Sequence, residues 1–123
     1  MKLLYDVIES PAHPDLRSVC DSLDYRRLVF SAQRKAISHL KREPPALLVA
    51  DFFYGYGNNY AGANVSNLDV LLRSLQRYAP GARVVVLADN SQIPHVPKLA
   101  ALFPLHAVVR VPADLSELEA ALG

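Results

Sequence analysis

The chain has 123 residues, of which 51% are hydrophobic and 20% charged, and its formal net charge is +1. This length supports a core of its own, so we expect a single domain over residues 1–123 that needs no disulfide or metal for stability. The small net charge gives no whole-molecule field to attract nucleic acid or an anionic membrane, and we predict neither partner. The only cysteine, Cys20, cannot form an internal disulfide, and no secretory pattern is present, so we expect a cytoplasmic protein.

Short apolar segments alternate with amphipathic segments along the whole chain. In chain order we predict a strand over 2–8, a helix over 15–23, a strand over 27–31, a helix over 32–41, a strand over 46–50, a helix over 67–78, a strand over 83–87, a helix over 95–102, a strand over 107–111 and a final helix capped by Asp114. This alternation predicts an α/β fold, a single doubly wound five-stranded parallel sheet with helices on both faces.

Asp51 ends the apolar run of the third predicted strand and precedes a loop rich in glycine and aromatic residues. Apolar runs flanked by helical patterns are typical of central strands in parallel sheets. In such sheets ligands and chemistry lie at the carboxyl ends of the strands. Asp51 is therefore the first candidate site residue.

Three segments together resemble the receiver domains of bacterial two-component response regulators. Leu47-Leu48-Val49-Ala50-Asp51 is similar to the strand that ends in the phospho-accepting aspartate, Val84-Val85-Val86-Leu87-Ala88 to the fourth strand, and Val108-Val109-Arg110-Val111-Pro112 to the last strand. The resemblance spans nearly the whole chain. It implies the flavodoxin-like strand order 2-1-3-4-5 and a phospho-acceptor at Asp51.

The chain departs from this family where a receiver handles the phosphoryl group. The switch threonine or serine of a receiver falls on Ala88, and its lysine before the last proline falls on Val111. The acidic pair that binds magnesium falls near residues 7–8, where only Glu9 or Asp6 could replace it. In a receiver this hydroxyl and this cation allow an acyl phosphate to form and to be recognised. Because both are missing here, we expect a degenerate receiver.

Three carboxylates could still form a cation site at this edge. Glu9, Asp51 and Asp89 follow neighbouring predicted strands and could offer oxygen ligands to a hard cation. We favour the simpler interpretation, in which they are strand-end and turn acids exposed to water. We predict no cofactor, with magnesium bound only if Asp51 is phosphorylated.

The loop after Asp51 does not match a nucleotide-binding motif. A dinucleotide fingerprint would need glycine at Tyr60, and a P-loop would need a lysine followed by serine or threonine. The loop composition suits contact with a protein or a flat ligand, or packing of the rings over the sheet edge. The candidate contact residues are Phe53, Tyr54, Tyr56, Asn58, Asn59 and Tyr60.

The remaining reactive side chains form no catalytic pattern. We interpret the four histidines as structural or solvent-facing, since they lack metal-ligand spacing: His13, His39, His95 and His106. We expect Cys20 to be a small core residue. The basic pairs at 26–27 and 41–42 are typical of solvated element ends. We therefore predict no enzymatic activity.

The resemblance also implies an interaction surface. In receivers the fourth helix, fifth strand and fifth helix form the usual output and dimer face, which makes Val96, Leu99 and Arg110 candidate output-face residues. We predict a degenerate receiver-like signalling module that binds a protein partner or forms a homodimer. The alternatives are a phospho-accepting regulator that uses Asp51 with magnesium, and a small-ligand sensor that uses the aromatic loop 52–60.

Overall fold

The computed structural model describes residues 1–55 and 65–123. Within these residues five strands and five α-helices alternate along the chain. The strands are β1 (Lys2–Val7), β2 (Tyr25–Phe30), β3 (Leu47–Asp51), β4 (Arg83–Ala88) and β5 (Ala107–Arg110). The helices are α1 (Arg17–Ser22), α2 (Gln33–His39), α3 (Asp69–Tyr78), α4 (Val96–Ala100) and α5 (Leu115–Leu122), with a 3₁₀ turn, Ile93–His95, directly before α4.

The five strands form one parallel sheet in the order 2-1-3-4-5. β1 lies between β2 and β3, so the direction in which strands are added reverses between β1 and β3. In doubly wound sheets the crevice outside the carboxyl ends at such a reversal is the usual ligand position. The predicted fold class and strand order are confirmed.

Helices cover both faces of the sheet. Side chains alternate between the two faces along each strand, so Val49 and Val85 pack with α1 and α5, whereas Leu48 and Val86 pack with α2, α3 and α4. Each fully buried valine or leucine contributes roughly 1.5–3 kcal/mol. Burial on both sides explains why the central strands are continuous apolar runs in the sequence.

β2 begins at Tyr25, two residues before its predicted start. Asp24 has a left-handed backbone conformation, with φ of 60°, in the turn that connects α1 to β2. The Tyr25 side chain is buried, its hydroxyl donates to the carbonyl of Leu122 at 2.7 Å, and it accepts from Arg83 Nη2 at 2.6 Å. The following two arginines concealed this strand start in the sequence.

α3 begins at Asp69, two residues after its predicted start. The Asp69 carboxylate is buried and accepts hydrogen bonds from the backbone N–H groups of Val65 and Ser66, both at 2.8 Å. Asn67, a predicted cap, instead uses its side-chain oxygen to accept from the N–H of Phe53 at 2.7 Å. The start of α3 therefore also anchors the chain that leaves β3.

Prolines and one cap shape the carboxyl-terminal elements. α4 is shorter than predicted: its predicted first residue, His95, belongs to the 3₁₀ turn that contains Pro94, and the helix ends at Ala100, two residues before its predicted end. The Val111–Pro112 peptide bond is cis. Asp114 and Glu117 form the predicted capping box of α5. Among the described residues, no helix has both the length and the apolar character needed to cross a membrane.

Candidate functional site

Asp51 is a buried carboxylate at the reversal point of the sheet. It is the last residue of β3, and its side chain points to the same face as Val49 because side chains alternate along the strand. Only 3% of Asp51 is exposed. The adjacent β1 places Asp6 beside Val49 in the register, so two carboxylates face the same side of neighbouring strands.

Both carboxylate oxygens of Asp51 already have hydrogen-bond partners. Oδ2 accepts from the backbone N–H groups of Glu9 at 2.8 Å and Ser10 at 3.0 Å. His13 Nδ1 lies 2.9 Å from each of the two oxygens. The segment that follows β1 therefore closes over Asp51 with two amides and one imidazole.

His13 joins the two buried carboxylates. Its Nε2 lies 2.6 Å from Asp6 Oδ1, while its Nδ1 faces Asp51. An imidazole can donate at both nitrogens only in its protonated form. The second oxygen of Asp6, Oδ2, accepts from Arg27 Nε at 2.8 Å. We call Asp6, His13, Arg27 and Asp51 the His13 cluster.

Burial and charge act in opposite directions on His13. The His13 side chain is 1% exposed, and this burial by itself lowers the pKa of the imidazole. The hydrogen bonds to Asp51 and Asp6, together with their negative charges, raise the pKa by more than burial lowers it, to about 9. His13 is thus an imidazolium at neutral pH, a fixed cation between two carboxylates.

A tight turn positions the imidazole. The N–H of His13 donates to the carbonyl of Ser10 at 3.1 Å, and Ser10 Oγ accepts from the N–H of Ala12 at 3.1 Å. The sequence prediction missed His13 as a site residue. The available signal was its place in the segment after β1, because that segment lies at the same sheet edge as Asp51.

Glu9 and Asp89 use their carboxylates elsewhere. Glu9 Oε1 accepts from Gln33 Nε2 at 2.8 Å and from Asn67 Nδ2 at 3.2 Å. Asp89 Oδ1 accepts from the hydroxyl and N–H of Ser91, which hold the pKa of this carboxyl below its ordinary value. Across residues 1–55 and 65–123, no group of three or more His, Cys, Asp or Glu side chains is arranged to hold a metal ion.

The positions that correspond to the receiver switch groups are apolar and buried. Ala88 ends β4 and is 2% exposed, and Val111 follows β5 and is 6% exposed. The N–H of Val111 donates to the carbonyl of Ala88 at 2.9 Å. Arg110 is exposed on the opposite side of the strand, as alternation predicts. Neither a hydroxyl nor a cation from these positions faces Asp51.

Tyr54 connects the loop after β3 to the start of α4. Its ring stacks on His95 with centroids 4.1 Å apart and planes 7° apart, and its hydroxyl accepts from Lys98 Nζ at 2.9 Å. Its N–H donates to Gln92 Oε1 at 2.7 Å. Phe53 is half-buried. The other candidate contact residues lie outside the described residues: Tyr56, Asn58, Asn59 and Tyr60.

Two candidate output-face residues require correction. Val96 is 4% exposed and Leu99 is fully buried, and both pack in the core between α4 and the sheet. Both apolar side chains lie on the side of α4 that packs against the sheet. Of the three candidates, Arg110 alone has an exposed side chain.

Comparison with solved structures identifies the fold. A CheY-like receiver domain protein from Methanospirillum hungatei matches with a TM-score of 0.73 at 12% identity, over 99% of this chain and 90% of that chain. The chain has the receiver fold. A receiver domain protein from Clostridium thermocellum matches this receiver fold with a TM-score of 0.70 at 16% identity, over 98% of this chain and 90% of that chain.

A third similar structure belongs to a family of streptococcal redox sensors described as evolved from two-component response regulators. It matches the receiver fold of this chain with a TM-score of 0.72 at 13% identity, over 99% of this chain. This chain spans 49% of that protein. No protein-family model and no curated relative matches the sequence. Identities this low establish the fold, while function has to be argued from the site.

Proposed function

We propose that this chain is a degenerate receiver-like signalling module that acts by binding a protein without phosphorylation of Asp51. The observation that supports the proposal is that both carboxylate oxygens of Asp51 already accept hydrogen bonds, from His13 and from the amides of Glu9 and Ser10. The receiver fold of the structural neighbours supports the signalling role.

Phosphoryl transfer to a carboxylate needs an accessible oxygen, a magnesium ion and a nearby cation that neutralises the transferred group. At Asp51 the first requirement conflicts with the buried ion pair to His13. Removing one partner of a buried ion pair costs roughly 3–5 kcal/mol. Unless another cation replaces it, moving His13 aside would thus reduce the population of an open Asp51 by more than a hundredfold, since 1.4 kcal/mol is about a factor of ten.

We do not propose for this chain the redox-sensing function that is described for the similar streptococcal proteins. The only cysteine in the sequence, Cys20, is 2% exposed, and burial raises its thiol pKa to about 11. Reactive cysteines are exposed thiolates with a lowered pKa. We also propose that the module is not an enzyme and that it resides in the cytoplasm, where a free thiol stays reduced.

The proposal is tested by an amide-resolved NMR titration with magnesium and then beryllofluoride, which imitates a phosphoryl group on aspartate. The matched control is Asp51→Asn, which keeps the side-chain size. We expect no shift around Asp51, Ala88 or Val111 in the native chain. Shifts there that disappear in Asp51→Asn would identify a phospho-accepting regulator that binds magnesium, and would overturn the proposal.

A second candidate function, a small-ligand sensor, is supported by a cavity of about 510 Å³ at the carboxyl edge of the sheet. Ile8, Glu9, Ser31 and Phe53 line it, and its volume is within the range of small-molecule sites. Ligand-detected NMR with a set of planar metabolites tests this candidate. Saturable binding that Phe53→Ala weakens would support it, and no binding would eliminate it.

A further inference from the structure

The exposed cations of the chain are concentrated on one side of the sheet. α2 and the turn after it carry four of the thirteen lysine and arginine residues, and α3, which packs against α2, adds Arg77 as a fifth besides Arg73, which lies beside Asp69. All five are exposed, and we call them the basic face: Arg34, Lys35, Lys41, Arg42 and Arg77.

The acidic residues of the same segments do not neutralise the basic face. Glu43 forms an ion pair with Arg26 on β2. Asp69 is buried and accepts from backbone amides, with Arg73 Nη2 3.9 Å from its Oδ2. The charge of the five cations is therefore left for the solvent or for a partner.

Acidic residues are concentrated on the opposite side of the sheet. α1, the turn after it and α5 cover that side, and they contribute Asp21, Asp24, Asp114, Glu117 and Glu119. The net charge of +1 thus conceals two faces of opposite sign. Charges on one face act within a Debye length of about 8 Å at physiological salt, so a bound partner responds to that face and not to the net charge.

The basic face also offers apolar contact area. Tyr78 is half-buried at the α2–α3 junction, with Lys41 Nζ 5.5 Å and Arg77 Cζ 5.2 Å from its ring centroid. Val70, seven residues before Arg77, is on the same side of α3 and is 50% exposed. A partner with carboxylates around a small apolar anchor would fit this pattern of charged and apolar groups.

We propose that the basic face binds an acidic segment of another protein, and this inference rests on the proposed protein-binding function. Charge complementarity identifies the chemistry of the partner, since buried or rim charges of opposite sign direct association and register. A nucleic acid fits less well. Two cations already lie over the Tyr78 ring, which leaves it poorly placed to stack on bases.

The experiment measures binding of a fluorescein-labelled peptide of glutamate, alanine and leucine by anisotropy at about 0.15 M salt. The binding site is mapped by NMR on the free chain. We expect saturable binding, with amide shifts confined to α2, the following turn and α3. The variant Arg34→Glu, Lys35→Glu should weaken binding at least tenfold.

The matched control is Lys2→Glu, Arg17→Glu, which removes two exposed cations outside the basic face and changes the net charge equally. It should bind the peptide within about twofold of the native chain, which is less than the 1.4 kcal/mol equivalent of a tenfold change. Amide spectra of both variants establish that they are folded. Equal weakening in both variants would show a nonspecific charge effect and overturn the proposal.

Three further outcomes would also overturn it: no saturable binding, tighter binding of a DNA duplex with the same shifts, or salt-sensitive self-association of the free chain. The last would identify the acidic face of a second copy as the occupant. A response of Asp51 to beryllofluoride would contradict the proposed function but would leave the peptide result unchanged. The two tests can therefore fail independently.

Discussion

Replacing His13 with glutamine should strongly destabilise the fold, because it removes the cation between two buried carboxylates. Glutamine is neutral and its amide can donate to only one side, so both carboxylates lose a cation at 2.6–2.9 Å and one of them also loses its hydrogen bond. Removing one partner of a buried ion pair costs roughly 3–5 kcal/mol, a large fraction of the 5–15 kcal/mol stability of an ordinary domain. Urea unfolding at neutral pH, followed by circular dichroism, measures the change.

A double-mutant cycle tests the stated cause of this loss. Asp51→Asn removes one of the two negative charges, so the variant His13→Gln, Asp51→Asn should lose less stability than the two single variants added together. We expect a coupling energy of at least about 1 kcal/mol, which is within the range for groups in direct contact. His106→Gln, at an exposed position, is the control and should change stability by less than about 0.5 kcal/mol. A loss below about 1 kcal/mol for His13→Gln, or strict additivity, would refute the reasoning.

Three further predictions follow from the same structure. The raised pKa of His13 implies stability that is complete below about pH 6.5 and lost as pH rises through about 9. The native chain should therefore lose about 2.5 kcal/mol more between pH 7 and 10 than His13→Gln does, and equal pH profiles would contradict this. Leu99→Ala should lower the free energy of unfolding by about 2–5 kcal/mol, whereas Arg110→Ala should change it by under about 0.5 kcal/mol. Similarly small losses in both variants would show that Leu99 is not a core residue. Asp114→Ala should lose about 1 kcal/mol in urea unfolding by removing the α5 cap, whereas Ser18→Ala, at an exposed position of α1, is the control and should change stability by less than about 0.5 kcal/mol.

The fold was predictable because burial on both faces leaves a strong pattern in the sequence. β3 over 47–50 and β4 over 84–88 are uninterrupted apolar runs, and the boundaries of both strands agree with the prediction to within one residue at each end. β2 was harder to place, because its buried Tyr25 is followed by two arginines, of which Arg27 turns inward to Asp6. A charged residue inside a strand obscures the hydrophobic periodicity of that strand when its ion-pair partner is distant in the chain.

The candidate site was predictable only in part. Asp51 followed from the rule that parallel strands carry sites at their carboxyl ends. His13 did not follow, because its position depends on a turn at Ser10 and on the side-chain geometry of two strands, and neither leaves a periodic signal. Val96 and Leu99 were assigned by resemblance to an exposed face, whereas both lie on the buried side of α4, a short helix that follows Pro94.

The two sets of charges in this molecule should respond differently to ionic strength. In the His13 cluster Asp6, His13 and Asp51 lie in contact and are at most 4% exposed, with Arg27 at 23% on the outer side, so mobile ions cannot enter between His13 and the two carboxylates. Exposed charges separated by solvent are largely screened at about 1 M salt, where the Debye length is about 3 Å. Concentrated salt should therefore abolish recognition at the basic face while the crevice around Asp51 stays closed. A change of salt concentration thus separates partner binding by this chain from the stability of its fold.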